Sequence, residues 1–362
     1  LWPLTTLYAF EYMTSENRLR PFFSFFLMSY GVTLGVAMSA SMLTLYCFYE
    51  LLTLVTIPLV IHTLTKQAVR AARTYMVCSI GGAAFAFAAV IFLIVSGAGG
   101  DFVYGGLLKA HPYASRSITY IMYILGFMGF GVKAAVFPMD FWLPKATVAP
   151  TPVTALLHAV TVVKSGAFAI MRLTFYAFGT ELLAGTWAQT VVMAFAIFTI
   201  FYGSSRAVKE VHFKRRMAYS TVANLSYILF GVTLMTPAGL SAGLMHMAFH
   251  AVTKILAFFC VGAVMHETGR EYLPQLNGLG AKMPVTFVCF TVSALSLTGI
   301  PLFDGFISKW YLLTSAADLG TTASYIGAGV LLLSALLTAI YMFAAPVRAF
   351  FPHNGGSRAE LE

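Results

Sequence analysis

From residue 22 onward the chain alternates apolar runs of about twenty residues with short polar stretches. The hydrocarbon core of a bilayer, roughly 30 Å thick, is crossed by about 20 helical residues. That ruler predicts ten spanning segments, near 22–40, 41–61, 74–98, 118–137, 152–178, 186–205, 218–235, 240–264, 284–314 and 323–345. Residues 1–21 precede them as an N-terminal segment, and residues 349–362 follow as a polar C-terminal one.

Two of the ten contain helix breakers near their middle, each with a lysine close by. The fourth runs through Gly129, Gly131 and Pro138, and the ninth through Gly299, Pro301 and Gly305. Proline lacks the backbone donor and clashes with the preceding turn, so helix breaks are predicted at Pro138 and Pro301. Broken helices at matching places in two halves point to an ion path between inverted repeats. Ten spans divide into two fives, and because five is odd the second five inserts upside down relative to the first. The predicted fold class is therefore all-α integral membrane: two inverted five-helix repeats, over 22–180 and 186–348, each with one broken helix.

Composition agrees. Apolar residues make up 59% of the 362, aromatics 15% and charged residues only 10%, with a mean hydropathy of +0.82. A soluble domain carries roughly 25% charged residues, so this chain cannot cover a water-facing surface of its size. Disorder, a coiled coil and a secreted disulfide scaffold are excluded. Cys47, Cys78, Cys260 and Cys289 lie singly in apolar runs without C-x-x-C spacing, which argues for small buried hydrophobes rather than zinc, an iron–sulfur centre or disulfides. The opening Leu-Trp-Pro-Leu, without an initiator Met or a signal-peptide pattern, reads as the interior of a longer chain.

The net charge of +9 is informative through its placement. With the ten spans drawn, fifteen cations collect on the side of the N-terminal segment: Arg18, Arg20, Lys66, Arg70, Arg73, Lys145, Arg206, Lys209, Lys214, Arg215, Arg216, Arg270, Lys282, Arg348 and Arg358. Only Lys109, Arg116 and Arg172 fall on the other side. Such a bias places both ends on the cytoplasmic side, with a prokaryotic inner membrane as the expected location. The charge needs no nucleic acid. The densest loop, 206–216, reads first as a topology signal and second as a contact for a partner or lipid.

Four lysines, Lys133, Lys164, Lys254 and Lys309, fit no loop. A charge at the centre of a spanning helix costs roughly 2.5–3.5 kcal/mol on insertion scales, so several in one chain argue for function. Glu50 follows 29 uncharged residues and precedes fifteen more without formal charge. Its natural partner is a cation on another helix, and Lys133 is the best candidate. A lysine held between a carboxylate's attraction and the cost of desolvation changes its proton load when the carboxylate moves. In the fifth span Thr154, His158, Thr161 and Ser165 fall at helical spacing on one polar stripe, with Lys164 beside it. In the eighth, His246, His250 and Lys254 are spaced i, i+4, i+8 and stack three titratable groups on one face. The H-x-x-x-H pair lacks the glutamate of a metalloprotease and a third ligand, so no metal is expected, and a proton relay fits better. Asp304 and Lys309 flank Gly305, either as an interfacial pair or as a donor or acceptor near one mouth. An axis so rich in bases and poor in carboxylates favours H⁺ over Na⁺ or Ca²⁺ as the ion carried.

Four separated motifs carry a family resemblance. Gly131-Val-Lys133-Ala-Ala-Val-Phe-Pro138-Met-Asp-Phe-Trp142-Leu-Pro144, with Ala149-Pro150-Thr151-Pro152 through His158 and Val163-Lys164-Ser-Gly166, resembles the signature of antiporter-like membrane subunits. His246 to Lys254, Gly299 to Lys309 and Arg215-Arg216-Met-Ala-Tyr219-Ser220 are similar to three further stretches of that family. Its members belong to respiratory complex I (NADH:quinone oxidoreductase), Mrp-type Na⁺/H⁺ antiporters and energy-converting membrane-bound hydrogenases. The resemblance implies about fourteen helices, of which the ten spans resemble the fourth to thirteenth. It implies that Glu50 and Lys133 are the driving pair, that Lys164 connects, that His246, His250 and Lys254 relay, and that Lys309 stands next to the exit. Whether His158 or Lys164 is the main link stays open, because both are present. The function implied first is proton translocation coupled to a redox complex, complex I-like or hydrogenase. The alternative is one subunit of a Mrp-type Na⁺/H⁺ antiporter, and the third reading is a non-conducting scaffold. No flavin, nicotinamide or cluster motif is present, so redox chemistry and its cofactors are expected on partner subunits, with related antiporter-like subunits among the partners.

Overall fold

The computed structural model describes residues 1–14, 18–108 and 115–352. Lys109, Arg358 and residues 353–362 of the C-terminal segment lie outside the described residues. The chain is all helical apart from isolated bridges, with no strand ladder among the described residues. The helices are α1 (Trp2–Tyr12), α2 (Leu19–Met38), α3 (Met42–Val60), α4 (Lys66–Val95), α5 (Arg116–Gly131), α6 (Trp142–Lys145), α7 (Thr151–Ala159), α8 (Val162–Arg172), α9 (Thr180–Leu183), α10 (Trp187–Lys209), α11 (Phe213–Thr233), α12 (Pro237–Thr268), α13 (Pro284–Thr298), α14 (Asp304–Leu319) and α15 (Thr322–Phe350).

Each of the ten predicted segments contains helix. Among the described residues seven helical stretches are long and apolar enough to cross a bilayer: α2, α3, α4, the run Thr151–Phe178 that contains α7 and α8, α10, α12 and α15. The other three fall short for physical reasons. α5 has 16 residues, α13 and α14 are separated by the turn at Gly299, and α11 carries buried Lys214, Arg216, Asn224 and several hydroxyls. Outward faces present Leu27, Leu54, Ile80, Leu336 and Ile340, apolar surface suited to acyl chains.

Local chemistry sets the helix starts. Ser41, Thr65, Thr236 and Thr321 each accept a hydrogen bond from the backbone N–H three residues on, a cap worth about 1 kcal/mol. Proline stands in the first turn of α1, α7, α12 and α13, where its missing N–H costs nothing. Small residues let backbones approach: a Cβ on Gly126 of α5 would lie 2.9 Å from the Ala89 Cβ of α4, and Gly129 lies directly on the Ala86 backbone. α5 ends at Gly131, just beyond this contact, and Lys133 follows two residues later. α12 is the hub of the second half, packing on α11, α13 and α14 and also on α7 from the first half.

Several expectations change. Residues 2–12 form a helix that the apolar pattern does not predict, α1, packed on α7 and α12. α5 stops at Gly131, well before Pro138, and irregular turns including left-handed Ala135 (φ 55) occupy the gap. Lys133 therefore sits in the break itself. The break near Pro301 is present as the turn from Gly299 (φ 89) to Phe303. The fifth segment is not one helix: it is interrupted at Val160 and Thr161, where the Thr161 N–H and hydroxyl both return to the Leu156 carbonyl. Thr154, His158, Thr161 and Ser165 consequently do not share one helical stripe. Lys214 and Arg216, which the sequence pattern groups with the loop charges, are buried at the start of α11, at 5% and 6% exposure. Arg216 is consumed structurally, donating to the carbonyls of Glu210, Val208 and Tyr341.

Candidate functional site

Lys133, His158, Lys164, His246, His250, Lys254 and Lys309 are all buried, and Glu50 is a quarter exposed. They form a pair and a cluster rather than one unbroken chain. The pair is Glu50 on α3 with Lys133 in the break, carboxylate to ammonium 3.6 Å. Tyr49, the neighbour of Glu50, competes for the same ammonium: Lys133 Nζ donates to the Tyr49 carbonyl and lies 3.3 Å from the centroid of its ring. The Tyr49 hydroxyl in turn donates to the Phe130 carbonyl at 3.2 Å, tying α3 to the end of α5.

The cluster spans the two halves. Lys164 on α8 meets His250 on α12, Nζ to Nδ1 2.6 Å. One turn earlier on α12, His246 stacks on His250 with ring centroids 6.1 Å apart. Its ring nitrogens face Ser308 of α14 at 2.9 Å and Asn224 of α11 at 3.3 Å. Lys254 donates to the Met217 carbonyl at 3.1 Å. Lys309 donates to the Leu297 and Thr298 carbonyls at 2.6 and 2.9 Å, the groups left open where α13 stops. Asp304 does not pair with Lys309. It accepts from Ser296, Thr253 and its neighbour's N–H, as a helix-start carboxylate does.

Between His158 and Lys164, it is Lys164 that touches the relay of α12. His158 packs against Phe258 with the rings tilted by 45° and their centroids 5.1 Å apart, and neither ring nitrogen has a hydrogen-bond partner among the described residues. No hydrogen bond or ion pair joins Lys133 to Lys164 among the described residues. The two are linked through backbone packing: a Cβ on Gly166 would lie 2.6 Å from the Ala134 nitrogen, 2.9 Å from the Phe130 oxygen and 3.0 Å from the Lys133 carbonyl carbon. Gly166→Ala must therefore part α8 from the break. We expect it to lower stability by about 1–3 kcal/mol, read as a fall of several degrees in the thermal transition in detergent. Gly31→Ala, with nothing within 4 Å of the added Cβ, should leave the transition nearly unchanged.

Tyr49, Asn224, Ser308 and the carbonyls of Met217, Leu297 and Thr298 are partners that the sequence pattern does not single out. Asn224 alone had a usable signal, as an uncharged amide deep in an apolar run. The others act through backbone or through ordinary-looking hydroxyls. Among the described residues no group of three or more His, Cys, Asp or Glu converges in a way that would hold a metal.

Lysines, histidines and one glutamate thus stand together inside a polytopic helical membrane protein. The comparisons narrow that class. The family profile described as NADH:quinone oxidoreductase/Mrp antiporter, TM matches residues 39–338, and the chain belongs to this family of antiporter-like membrane proteins. The chain is 32% identical over 328 residues to the A subunit of a Na(+)/H(+) antiporter of Bacillus subtilis (strain 168), covering 86% of this chain and 40% of that one. It is 32% identical over 322 residues to the A/B subunit of a probable K(+)/H(+) antiporter of Rhizobium meliloti (strain 1021), covering 87% of this chain and 31% of that one. The chain thus spans well under half the length of these curated relatives. Among solved structures it resembles the Mrp complex from Dietzia sp. DQ12-45-1b, with a TM-score of 0.83 and 25% identity over 96% of this chain and 64% of that one. It also resembles the membrane-bound sulfane sulfur reductase, an archaeal respiratory membrane complex, with a TM-score of 0.81 and 26% identity over 92% of this chain and 67% of that one.

Proposed function

We propose that this chain is the proton-conducting part of a Mrp-type cation/proton antiporter in a bacterial inner membrane, working beside other antiporter-like membrane subunits. This is the reading that ranks second on sequence alone. The antiporter relatives of two bacteria favour it over coupling to a redox reaction. The observation that carries the proton route is the 2.6 Å contact between Lys164 and His250, where α8 of one half meets α12 of the other.

In this proposal the fold is two inverted five-helix repeats with both ends cytoplasmic. A cation passing near Glu50 weakens its hold on Lys133, and Tyr49 retains the lysine while its proton load changes. Protonation then shifts among Lys164, His250 and its α12 neighbours Lys254 and His246, and Lys309, on α14 beside the Ser308 that His246 touches, hands the proton across. His158, beside Phe258 and within electrostatic reach of Lys254, modulates the chain of groups rather than carrying it. The chain contributes no redox cofactor.

A redox-coupled role is the second reading, favoured by the likeness to the sulfane sulfur reductase. Everted vesicles from a host without its own antiporters, expressing the whole operon and loaded with a pH-sensitive dye, separate the two. Antiport requires that adding Na⁺ or K⁺ releases the preformed proton gradient. A cation-insensitive gradient, built only when an electron donor is supplied, would replace this reading with the redox one.

A further inference from the structure

Between the starts of α4 and α11 and the end of α10 lies a cavity of about 930 Å³ that takes no part in the proton axis. Six cations line it: Arg70, Arg73, Lys145, Arg206, Lys214 and Arg215. Two carboxylates also face it, but both are engaged with His212. Glu210 accepts from the His212 backbone N–H at 3.1 Å, and Glu271 lies 3.4 Å from its imidazole. None of the six cations forms an ion pair with a carboxylate among the described residues. Burial, and then Arg215, lower the pKa of the His212 imidazole, in the loop after α10, from its ordinary value. The cavity thus keeps a net excess of four positive charges, from six cations less two carboxylates.

Its wall is not uniformly polar. Phe141 and Val148 line one side, both exposed, with Lys145 Nζ 5.2 Å from the Phe141 ring centroid. Lys214, 5% exposed, spends one donor on the Ala149 carbonyl at 3.1 Å, while the exposed Arg206 donates to the Tyr219 hydroxyl at 3.1 Å. Guanidinium groups from several helices suit a phosphate oxygen set. The volume far exceeds a lone phosphate and falls in the range of sites for drug-sized molecules, roughly 300–1,000 Å³. The cavity also opens at the ends of two spanning helices, α4 and α10, the depth at which headgroups lie. Basic pockets between spanning helices on the cytoplasmic side suit anionic headgroups.

We propose that this cavity is a binding site for the phosphate headgroup of an anionic membrane lipid, with Arg70, Arg73, Arg206 and Arg215 around the phosphate and the acyl chains leaving past Phe141 and Val148. The site is independent of which ion the protein carries.

The test titrates the complex containing this chain, in detergent, with dihexanoyl-phosphatidylglycerol, with dihexanoyl-phosphatidylcholine and with inorganic phosphate, following bound mass by native mass spectrometry. Phosphatidylglycerol should bind at least tenfold more tightly than phosphatidylcholine. Arg206→Gln/Lys145→Gln should lose about tenfold or more of that affinity, and Arg206→Lys should keep most of it. Arg73→Gln/Arg215→Gln, at two other, exposed positions of the lining, provides an independent pair if the first fails to assemble. Equal binding of the two lipids, or unchanged binding by both variants, overturns the proposal. Displacement of the lipid by inorganic phosphate at similar concentration assigns the site to a free anion instead. A cavity occupied by an acidic segment of a partner protein in the complex also overturns it.

Discussion

Replacing Lys254 by alanine is expected to lower cation-driven proton exchange by about 100-fold or more, with the complex still assembled. The side chain is fully buried, lies two turns from His246 on α12, and donates to the Met217 carbonyl at 3.1 Å. A positioned proton-transfer group contributes roughly 10²–10⁴-fold, and none of the other titratable groups of the axis touches the Met217 carbonyl in its place. Lys254→Arg separates proton transfer from charge. A guanidinium keeps hydrogen-bond donors but does not release its proton, so complexes that assemble with this variant should remain as inactive as alanine. Both are measured by dye dequenching in proteoliposomes. Wild-type exchange in Lys254→Arg would remove the lysine from the route.

The second large effect concerns the pair at the other end. Glu50→Gln leaves Lys133 enclosed and, among the described residues, held by Tyr49 alone, at the carbonyl and over the ring. Breaking a fully buried ion pair costs about 3–5 kcal/mol. Here Glu50 is a quarter exposed, so water screens the pair and the structural cost is smaller. The effect should appear in coupling. Glu50→Gln and Lys133→Met should each reduce exchange at least tenfold, and the double variant should be no worse than the weaker single one, because each removes the same interaction. Additive losses in the double-mutant cycle would mean that the two groups act separately.

The helical framework was legible because lipid imposes it. Every spanning stretch must be apolar over a fixed length and must satisfy its own backbone, and both rules can be read without coordinates. The two breaks were legible from Pro138 and Pro301, but their placement was not. α5 ends at Gly131, seven residues before Pro138, just after Gly126 and Gly129 bring it onto α4, a contact between residues some forty apart in sequence. The interruption at Val160 has no glycine or proline to announce it, since it rests on two hydrogen bonds from Thr161 to one carbonyl. The titratable residues were visible because charge is rare in apolar sequence. Their partners were mostly not, since a carbonyl of Met217 or Leu297 has no letter of its own. Lys214 and Arg216 show the opposite difficulty. They stand in a basic run with Arg215, which is exposed, and nothing in the run says which of the three turns inward.

Lys309 closes the end of α13 with its ammonium, serving as a helix cap borrowed from the following helix. The proton it would pass on is thus also a structural fastener: a neutral amine is a weaker donor to two carbonyls than an ammonium is. When that proton leaves, the last turn of α13 loses part of its latch, and the Gly299 turn beside it is free to loosen. If Lys309 passes a proton as proposed, its proton load and its hold on the end of α13 change together.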